Sequence, residues 1–420
     1  MANILAAPQQ PKAGARTRAK TDEQLRTLAA ISTAHWVSHF HIFVLPMLFP
    51  FLKQQLGVGY IELGFALTVF AATSGLTQAP IGYLADYIGA RKILLMGLTL
   101  GGFGLIVLGL HLSYPSLIVT AALLGLANSV YHPANYAIIS AHMNEARMGR
   151  AFSIHTFAGF LGGAVAPAIV AALVATVGGQ GALIVAGAVG PFVALLLIVV
   201  RIPDASAGDR KMTGADAPRQ SVITPALIVL TVFFTLLSLS SAGIGNFGVV
   251  ALMSGYEATF AAANLALTAY LGASAIGVLA GGFLADHTRR HGQVAAACYA
   301  VNAAIVLVIA MINLPQLPLT AAMALAGFLG GLIAPSRDMM VRNAAPPGAA
   351  GRAFGIVSTG FNVAGIISPL LFGWIMDLNS PHWVFGASAV FMVLTVMLAL
   401  ATERGPQQKQ AASTAGLMHP

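Results

Sequence analysis

Charged side chains are scarce in this sequence of 420 residues: Asp, Glu, Lys and Arg make up 8% of it, whereas globular proteins average about 25%. So little charge cannot cover the surface of a soluble body of this length. This excludes a soluble enzyme, a nucleic-acid-binding protein and a disordered chain. Cysteine occurs once, at Cys298. A single cysteine excludes a disulfide framework and a cysteine-based metal cluster.

Apolar residues replace the missing charge and account for 57% of the chain. They form continuous stretches of about 20 residues or more, the length that a helix needs to cross a bilayer. Several stretches are apolar on every side, and none alternates as a membrane β-strand would. The sequence therefore predicts an all-α integral membrane protein with twelve transmembrane helices, at approximately 28–52, 60–84, 92–111, 115–142, 149–175, 181–201, 222–253, 258–285, 293–313, 317–342, 351–377 and 383–402.

Lys and Arg are distributed unevenly among the segments that join these stretches. If the N-terminus is cytoplasmic, nineteen of them lie on the cytoplasmic side, Lys53 alone lies outside, and Arg337 lies within a stretch. The positive-inside rule then places both termini in the cytoplasm, in a membrane of the bacterial inner-membrane type. We expect cytoplasmic tails at 1–27 and 403–420, six-helix bundles at 28–201 and 222–402, and a cytoplasmic linker at 202–221.

The two bundles repeat one another at an offset near 200 residues. Gly82-Tyr-Leu-Ala-Asp86 recurs as Gly282-Phe-Leu-Ala-Asp286, and Gly149-Arg-Ala-Phe152 recurs 202 residues later, from Gly351. Parallel repeats of this kind build transporters that have a central site between two bundles. The sequence therefore predicts two pseudo-symmetric halves related by duplication.

The segment from Gly82 to Lys92, Gly-Tyr-Leu-Ala-Asp-Tyr-Ile-Gly-Ala-Arg-Lys, resembles the loop 2–3 signature of the major facilitator superfamily. Within that superfamily, His35-Trp-Val-Ser-His39 and Tyr131-His132-Pro133 resemble the fosmidomycin-resistance branch. That branch commonly has Asp where His39 stands, and the arginine expected in the fourth helix is Ala121 here. The resemblance implies the superfamily's fold of two six-helix bundles, with no cofactor.

Asp86 is a carboxylate at the predicted inner end of the second helix. Alternating access needs a gate there, in which a carboxylate pairs with a cation or a helix N-terminus in one state and releases it in the other. The helix that begins near Gly351 supplies such an N-terminus; the alternative is a charge that only marks topology. The candidate gating residues are Gly82, Asp86, Gly89, Arg91, Arg150, Asp286 and Arg352.

Histidines are the unusual feature of the first half. His35 and His39 are four residues apart and share one face of the first helix, while His41 lies nearly opposite His39. His132 and His155 belong to the fourth and fifth helices, which line the cavity in the family that the chain resembles. An imidazole titrates near neutral pH and can carry a proton inside a low-dielectric cavity. The alternative is an interhelical hydrogen bond that only packs helices.

Two charges, Arg337 and Asp338, interrupt the tenth stretch. A charge within a transmembrane helix is costly and indicates function, but Arg337 could instead extend to the cytoplasmic interface or join an inner gate. Glu62, Glu257 and Asp377 lie at outer helix ends, where we expect them to be solvated. Polar side chains of the sort that line cavities complete the candidate substrate and proton site: Asn128, Tyr131, Asn135, Asn246, Asn264 and Asn362.

These features predict a secondary active transporter that moves a small anionic or amphiphilic solute, with proton-coupled efflux favoured. No ATP-binding loop of the Walker type is present, and no paired carboxylates or nucleophile constellation suggest an enzyme. The alternatives are a proton-linked importer of a carboxylate or other metabolite, a divalent-metal transporter, and a non-transporting receptor. We expect a monomer in the bilayer that binds its solute and protons, with no cofactor, resident metal or nucleic acid.

Overall fold

The computed structural model describes residues 13–144, 147–202, 204, 224–345 and 350–416, with side chains described except at 13–20, 86, 149, 350–352 and 402–416. Thirteen helices and no strand occur in these residues. The helices are α1 (Ala13–Met47), α2 (Phe49–Leu56), α3 (Tyr60–Ile88), α4 (Ala90–Leu110), α5 (Tyr114–His142), α6 (Met148–Val200), α7 (Pro225–Gly255), α8 (Phe260–His287), α9 (His291–Met311), α10 (Gln316–Leu332), α11 (Ala334–Ala344), α12 (Ala350–Asp377) and α13 (His382–Gly416).

The described helices make twelve membrane crossings. Eleven segments are long and apolar enough to cross a bilayer, and one of them, in α6, has 51 residues. At 1.5 Å per residue it would span roughly 75 Å, more than twice the apolar thickness of a bilayer. Its backbone breaks at Gly178, where φ is 72° and ψ is 176°, so α6 is two crossings. The predicted all-α fold with twelve transmembrane helices is confirmed.

Two other crossings are each made of two helices. Leu48 separates α1 from α2, and Ile333 separates α10 from α11. A proline follows each break within two residues, and proline cannot donate the backbone hydrogen bond that a continuous helix needs. Helical structure also extends into both predicted tails, because α1 begins at Ala13 and α13 ends at Gly416. Most of the predicted linker 202–221 lies outside the described residues.

Glycine lets helices within each half pack backbone against backbone. A Cβ added at Gly162 of α6 would lie 2.2 Å from the Trp36 carbonyl oxygen of α1. A Cβ added at Gly327 of α10 would lie 1.9 Å from the Tyr270 carbonyl oxygen of α8. Both distances are far inside van der Waals contact, so only glycine allows these approaches. Such contacts make each half a tightly packed body.

The face of the molecule that holds the α3–α4 turn is called the inner face here, and the opposite face the outer face. The halves meet where α3 packs against α12 and where α6 packs against α8. Near the outer face, a Cβ at Gly64 would lie 2.2 Å from the Pro369 carbonyl oxygen, and Thr68 donates a 3.0 Å hydrogen bond to the Ile366 carbonyl. Near the inner face, a Cβ at Gly355 would meet no atom within 4 Å. Helices α3 and α12 are thus in contact at their outer parts, whereas the space beside Gly355 of α12 is open.

Candidate functional site

Four histidines from three helices form one cluster, which we call the histidine cluster: His35, His39, His132 and His155. The His35 ring is at its centre, with ring centroids 4.7 Å from His39, 5.4 Å from His132 and 4.0 Å from His155. His35 and His155 stack with an interplanar angle of 10°. The structure therefore brings together α1, α5 and α6 through the histidines that the sequence singled out.

Hydrogen bonding fixes the tautomer of His35 and leaves acceptor nitrogens in the cluster. His35 Nδ1 lies 2.8 Å from the His155 carbonyl oxygen, and because a carbonyl only accepts, Nδ1 is the donor. His35 Nε2 then has a lone pair, and it has no hydrogen-bond partner. Both ring nitrogens of His155 also lack partners. The histidine cluster can accordingly accept a proton or hydrogen-bond a ligand.

Gly159 makes the cluster possible. It lies one turn after His155 on α6, and a Cβ there would lie 2.6 Å from His35 Cε1 and 3.0 Å from His39 Cδ2. Any larger residue would push these rings apart. His41, in contrast, lies outside the cluster, with Nε2 3.0 Å from the Ala186 carbonyl oxygen in the second crossing of α6. It packs helices and provides a natural control for the cluster.

Tyr136 extends the histidine cluster along α5. Its ring centroid lies 5.6 Å from that of His132 and 6.0 Å from that of His155, and the residue is 43% exposed. Tyr136 was not among the predicted residues; its spacing of four residues from His132 on α5 was the signal that could have found it.

Arg337 and Asp338 form an ion pair in the second half, with Nε 2.9 Å from Oδ1. The guanidinium carbon lies 4.9 Å from the Phe234 ring centroid and 5.3 Å from that of Phe361. The Arg337 side chain is 17% exposed and that of Asp338 is 47% exposed. Arg337 thus packs between the aromatic rings of α7 and α12, and the alternative in which it extends to the interface is wrong. Cation–π contacts stabilise a desolvated guanidinium in such a place.

The remaining predicted polar residues are spread over the molecule. Asn128 donates to the Ser74 hydroxyl at 2.9 Å, and Asn264 donates to the Phe260 carbonyl of its own helix at 2.8 Å. Tyr131 and Asn135 are buried, and their side-chain polar atoms have no partner. Asn246 is half-buried and Asn362 is exposed. No described hydrogen bond or ring contact links these six side chains to the histidine cluster.

The predicted inner gate centres on the α3–α4 turn. Gly89 has a φ of 102°, which favours glycine, and a Cβ there would lie 2.3 Å from Asp204 Oδ2. The Asp204 carboxylate accepts a 3.0 Å hydrogen bond from the Arg91 backbone amide at the start of α4. Asp204 was missed because it lies in the predicted linker. Among the other gating residues, Gly82 lies beside Pro133, and a Cβ added at Gly82 would be 3.9 Å from the Pro133 side chain. Arg150 and Asp286 are exposed. The side chains of Asp86 and Arg352 lie outside the described residues.

Asp377, at the end of α12, holds the two halves together at the outer face. Its two carboxylate oxygens accept hydrogen bonds from the Tyr60 and Ile61 backbone amides at the start of α3, both at 2.8 Å. Lys53 Nζ lies 3.6 Å from Asp377 Oδ1. We call Asp377 with these amides the outer gate. The expectation that Asp377 is solvated is wrong: a helix N-terminus offers free amides and a positive dipole end, and the carboxylate binds both.

A family model for the major facilitator superfamily matches residues 31–259 and 231–418. This chain belongs to the major facilitator superfamily. The resemblance seen in the loop 2–3 signature is thereby confirmed, and the chain is a membrane transporter of small solutes. The first range covers the first half and extends through α7, and the second begins within α7 and covers the rest of the second half.

Several proteins similar to this superfamily member are known by sequence. The fosmidomycin resistance protein of Escherichia coli (strain K12) is 29% identical over 297 residues, which cover 67% of this chain and 70% of that protein. The probable L-galactonate transporter of the same strain is 27% identical over 34% of this chain and 32% of that protein. The probable sulfoacetate transporter SauU of Cupriavidus necator is 31% identical over 33% of each protein.

Solved structures of the superfamily share the fold. A bacterial homologue of the human lysosomal transporter Spinster, in an inward-facing and occupied conformation, superposes with a TM-score of 0.76 at 14% identity, covering 90% of this chain and 96% of that one. The nucleoside transporter NupG superposes with a TM-score of 0.72 at 15% identity, covering 90% and 98%. At these identities the likeness is one of fold.

Proposed function

We propose that this transporter exports a small anionic or amphiphilic solute from the cytoplasm in exchange for protons, by alternating access. The observation that carries the proposal is the histidine cluster, four imidazoles from three helices with unpartnered ring nitrogens inside the membrane. Titratable groups are expensive there and are retained for function. An imidazole binds and releases a proton at accessible pH without the cost of a permanent charge.

In this proposal the two halves have different tasks. The histidine cluster takes up the proton, with His35, His39 and His132 as the main carriers. Arg337 binds the anionic group of the solute, and this group competes with the Asp338 carboxylate for the guanidinium. Asp338 is the alternative proton carrier. Tyr136 belongs to the proton-carrying side, because its ring contacts those of His132 and His155.

Two features support alternating access and an anionic solute. The outer gate ties the halves together at one face, and the space beside Gly355 of α12 is open toward the other, which supports a transporter closed on its outer side. Among the relatives, one is named for fosmidomycin resistance, which favours efflux, and two are named for L-galactonate and sulfoacetate, which are organic anions. We place both termini in the cytoplasm of an inner-membrane-type bilayer, as the charge asymmetry indicates.

The test uses purified protein in vesicles that contain a pH-sensitive dye. Fosmidomycin, sulfoacetate and L-galactonate are screened first for a ligand-dependent rise in Tm, and any that binds is added outside the vesicles. Exchange for protons makes the interior more alkaline as the solute enters, whereas import together with protons makes it more acidic. The second sign would replace the export proposal with the proton-linked importer.

The histidine cluster is tested by the triple variant His35→Gln, His39→Gln, His132→Gln. Glutamine keeps a hydrogen-bonding side chain but cannot carry a proton, so we expect exchange of labelled solute to survive while pH dependence and accumulation against a gradient are lost. His41→Gln is the matched control and should behave as wild type, because His41 bonds only the Ala186 carbonyl. Accumulation by the triple variant would contradict the assignment, and Asp338→Asn would then be tested.

A further inference from the structure

A second cavity, separate from the histidine cluster, opens at the inner face of the second half. It has a volume of about 670 Å³ and lies between the first turns of α7 and α9, the end of α11 and the inner part of α13. Ligand-binding pockets typically have about 300–1,000 Å³. Neither the histidine cluster nor either gate contributes a residue to it. Solute transport by alternating access does not require this cavity.

The cavity has a cationic side and an apolar side. Arg289, Arg290 and His291 line the first, and none of the described lining residues is acidic. Both arginines are exposed, and within the described part of the chain neither guanidinium pairs with a carboxylate. Leu230 and Leu398 belong to the apolar side. A ligand that fits both sides has an anionic head and a hydrocarbon body.

His291 is an independent sign of a ligand. It is the first residue of α9, only 5% exposed, and its Nδ1 has no hydrogen-bond partner although it lines the cavity. A buried polar atom without a partner costs free energy unless something bonds it. The start of α9 adds the positive end of a helix dipole, which favours a negative charge nearby. An anion with acceptor oxygens would bond the His291 nitrogen and be attracted to this helix end.

We propose that this cavity binds the phosphate headgroup of an anionic phospholipid, with Arg289, Arg290 and His291 contacting the phosphate and the apolar side contacting an acyl chain. Basic pockets between transmembrane helices at the cytoplasmic surface suit such headgroups. The apolar wall distinguishes a lipid from free inorganic phosphate, which would gain nothing from Leu230 or Leu398. The lipid would fill the space between α7, α9, α11 and α13 and stabilise the second half.

The test is lipid binding to delipidated wild-type protein in detergent, followed by native mass spectrometry and by Tm. The probes are phosphatidylglycerol, phosphatidylcholine of the same chain length, and inorganic phosphate. We expect phosphatidylglycerol alone to bind stoichiometrically and raise Tm. If phosphatidylcholine binds and raises Tm equally, the site does not select an anionic headgroup and the proposal is wrong. If inorganic phosphate has an equal effect, the ligand is not a lipid.

Variants locate the site. The double variant Arg289→Gln, Arg290→Gln should weaken phosphatidylglycerol binding about thirtyfold, since each interfacial cation contributes about fivefold. Arg342→Gln removes a cation from the same face and half without touching the cavity, and should change affinity less than threefold. If the double variant does not fold, His291→Asn takes its place. This variant keeps a hydrogen-bond donor and an acceptor, and it should also weaken phosphatidylglycerol binding. Equal losses in the control and the cavity variants would refute the site.

Discussion

Asp377→Asn should open the outer gate. The substitution keeps the shape of the side chain but removes its charge and turns one of its two acceptor oxygens into an NH2 group. That group cannot accept from the Tyr60 or Ile61 amide, each of which now donates to the carboxylate at 2.8 Å. One cross-half hydrogen bond is therefore lost and the other becomes a neutral one.

The magnitude follows from these contacts. A hydrogen bond to a charged group contributes about 1.5–3 kcal/mol, and a neutral one about 1 kcal/mol. The Lys53 ion pair adds little, because the Lys53 side chain is 41% exposed and such pairs are screened by solvent. Allowing for partial compensation by water in the open state, the closed state loses about 2 kcal/mol relative to the open one. This raises the ratio of open to closed molecules roughly thirtyfold.

Alkylation of a cysteine at the contact between α3 and α12 measures that ratio. Thr68→Cys in a Cys298→Ala background places the only thiol in the outer part of the α3–α12 contact, where Thr68 now bonds the Ile366 carbonyl. A membrane-impermeant maleimide on intact cells should react roughly thirtyfold faster when Asp377→Asn is added. Glu62→Gln is the matched control, since it removes an exposed carboxylate from the same helix end without a described bond to the other half. Rates that rise equally in both variants, or in neither, would refute the outer gate.

Three other predictions concern the inner gate, the cluster and the topology. Asp86→Asn should insert and fold but lose most of its turnover in vesicles; transport at the wild-type rate would remove Asp86 from the gate. Gly159→Val should abolish proton coupling while Tm falls by only a few degrees, because a Cβ there would meet His35 at 2.6 Å; coupling that survives in a folded protein would mean that the ring stack is dispensable. A cysteine placed at Gly178 should be labelled from outside the cell and one at Gly208 should not, and the reverse pattern would overturn the topology.

The crossings could be predicted from the sequence because hydropathy and length act locally along a helix. The break within α6 was predicted as a gap between stretches at 149–175 and 181–201, and Gly178 lies in it. The extent of α1 and α13 beyond the bilayer could not be predicted in this way. Outside the membrane, a polar helix and a polar tail have the same hydropathy.

Part of the histidine cluster could be predicted from the sequence, whereas the outer gate could not. His35 and His39 lie on one helix face by their spacing alone, whereas their contact with His155 depends on how α6 packs against α1. Asp377 and Tyr60 are 317 residues apart, and no local pattern relates them. Their contact follows from the antiparallel crossing of α3 and α12, which brings the end of α12 to the start of α3. The role of the Asp377 carboxylate in the outer gate can therefore be recognised only in the folded structure.

The space around each glycine predicts whether that position tolerates substitution by a larger residue. A Cβ would lie 1.9 Å from a carbonyl oxygen at Gly327 and 2.0 Å at Gly331, so even alanine would force α8 and α10 apart. At Gly272 and Gly282 of α8, a Cβ would meet no atom within 4 Å. Alanine there should instead stabilise the helix by up to about 1 kcal/mol. In a library of single substitutions, the glycines at the contact between α8 and α10 should therefore be intolerant and the open ones variable, so tolerance would map where the two helices touch.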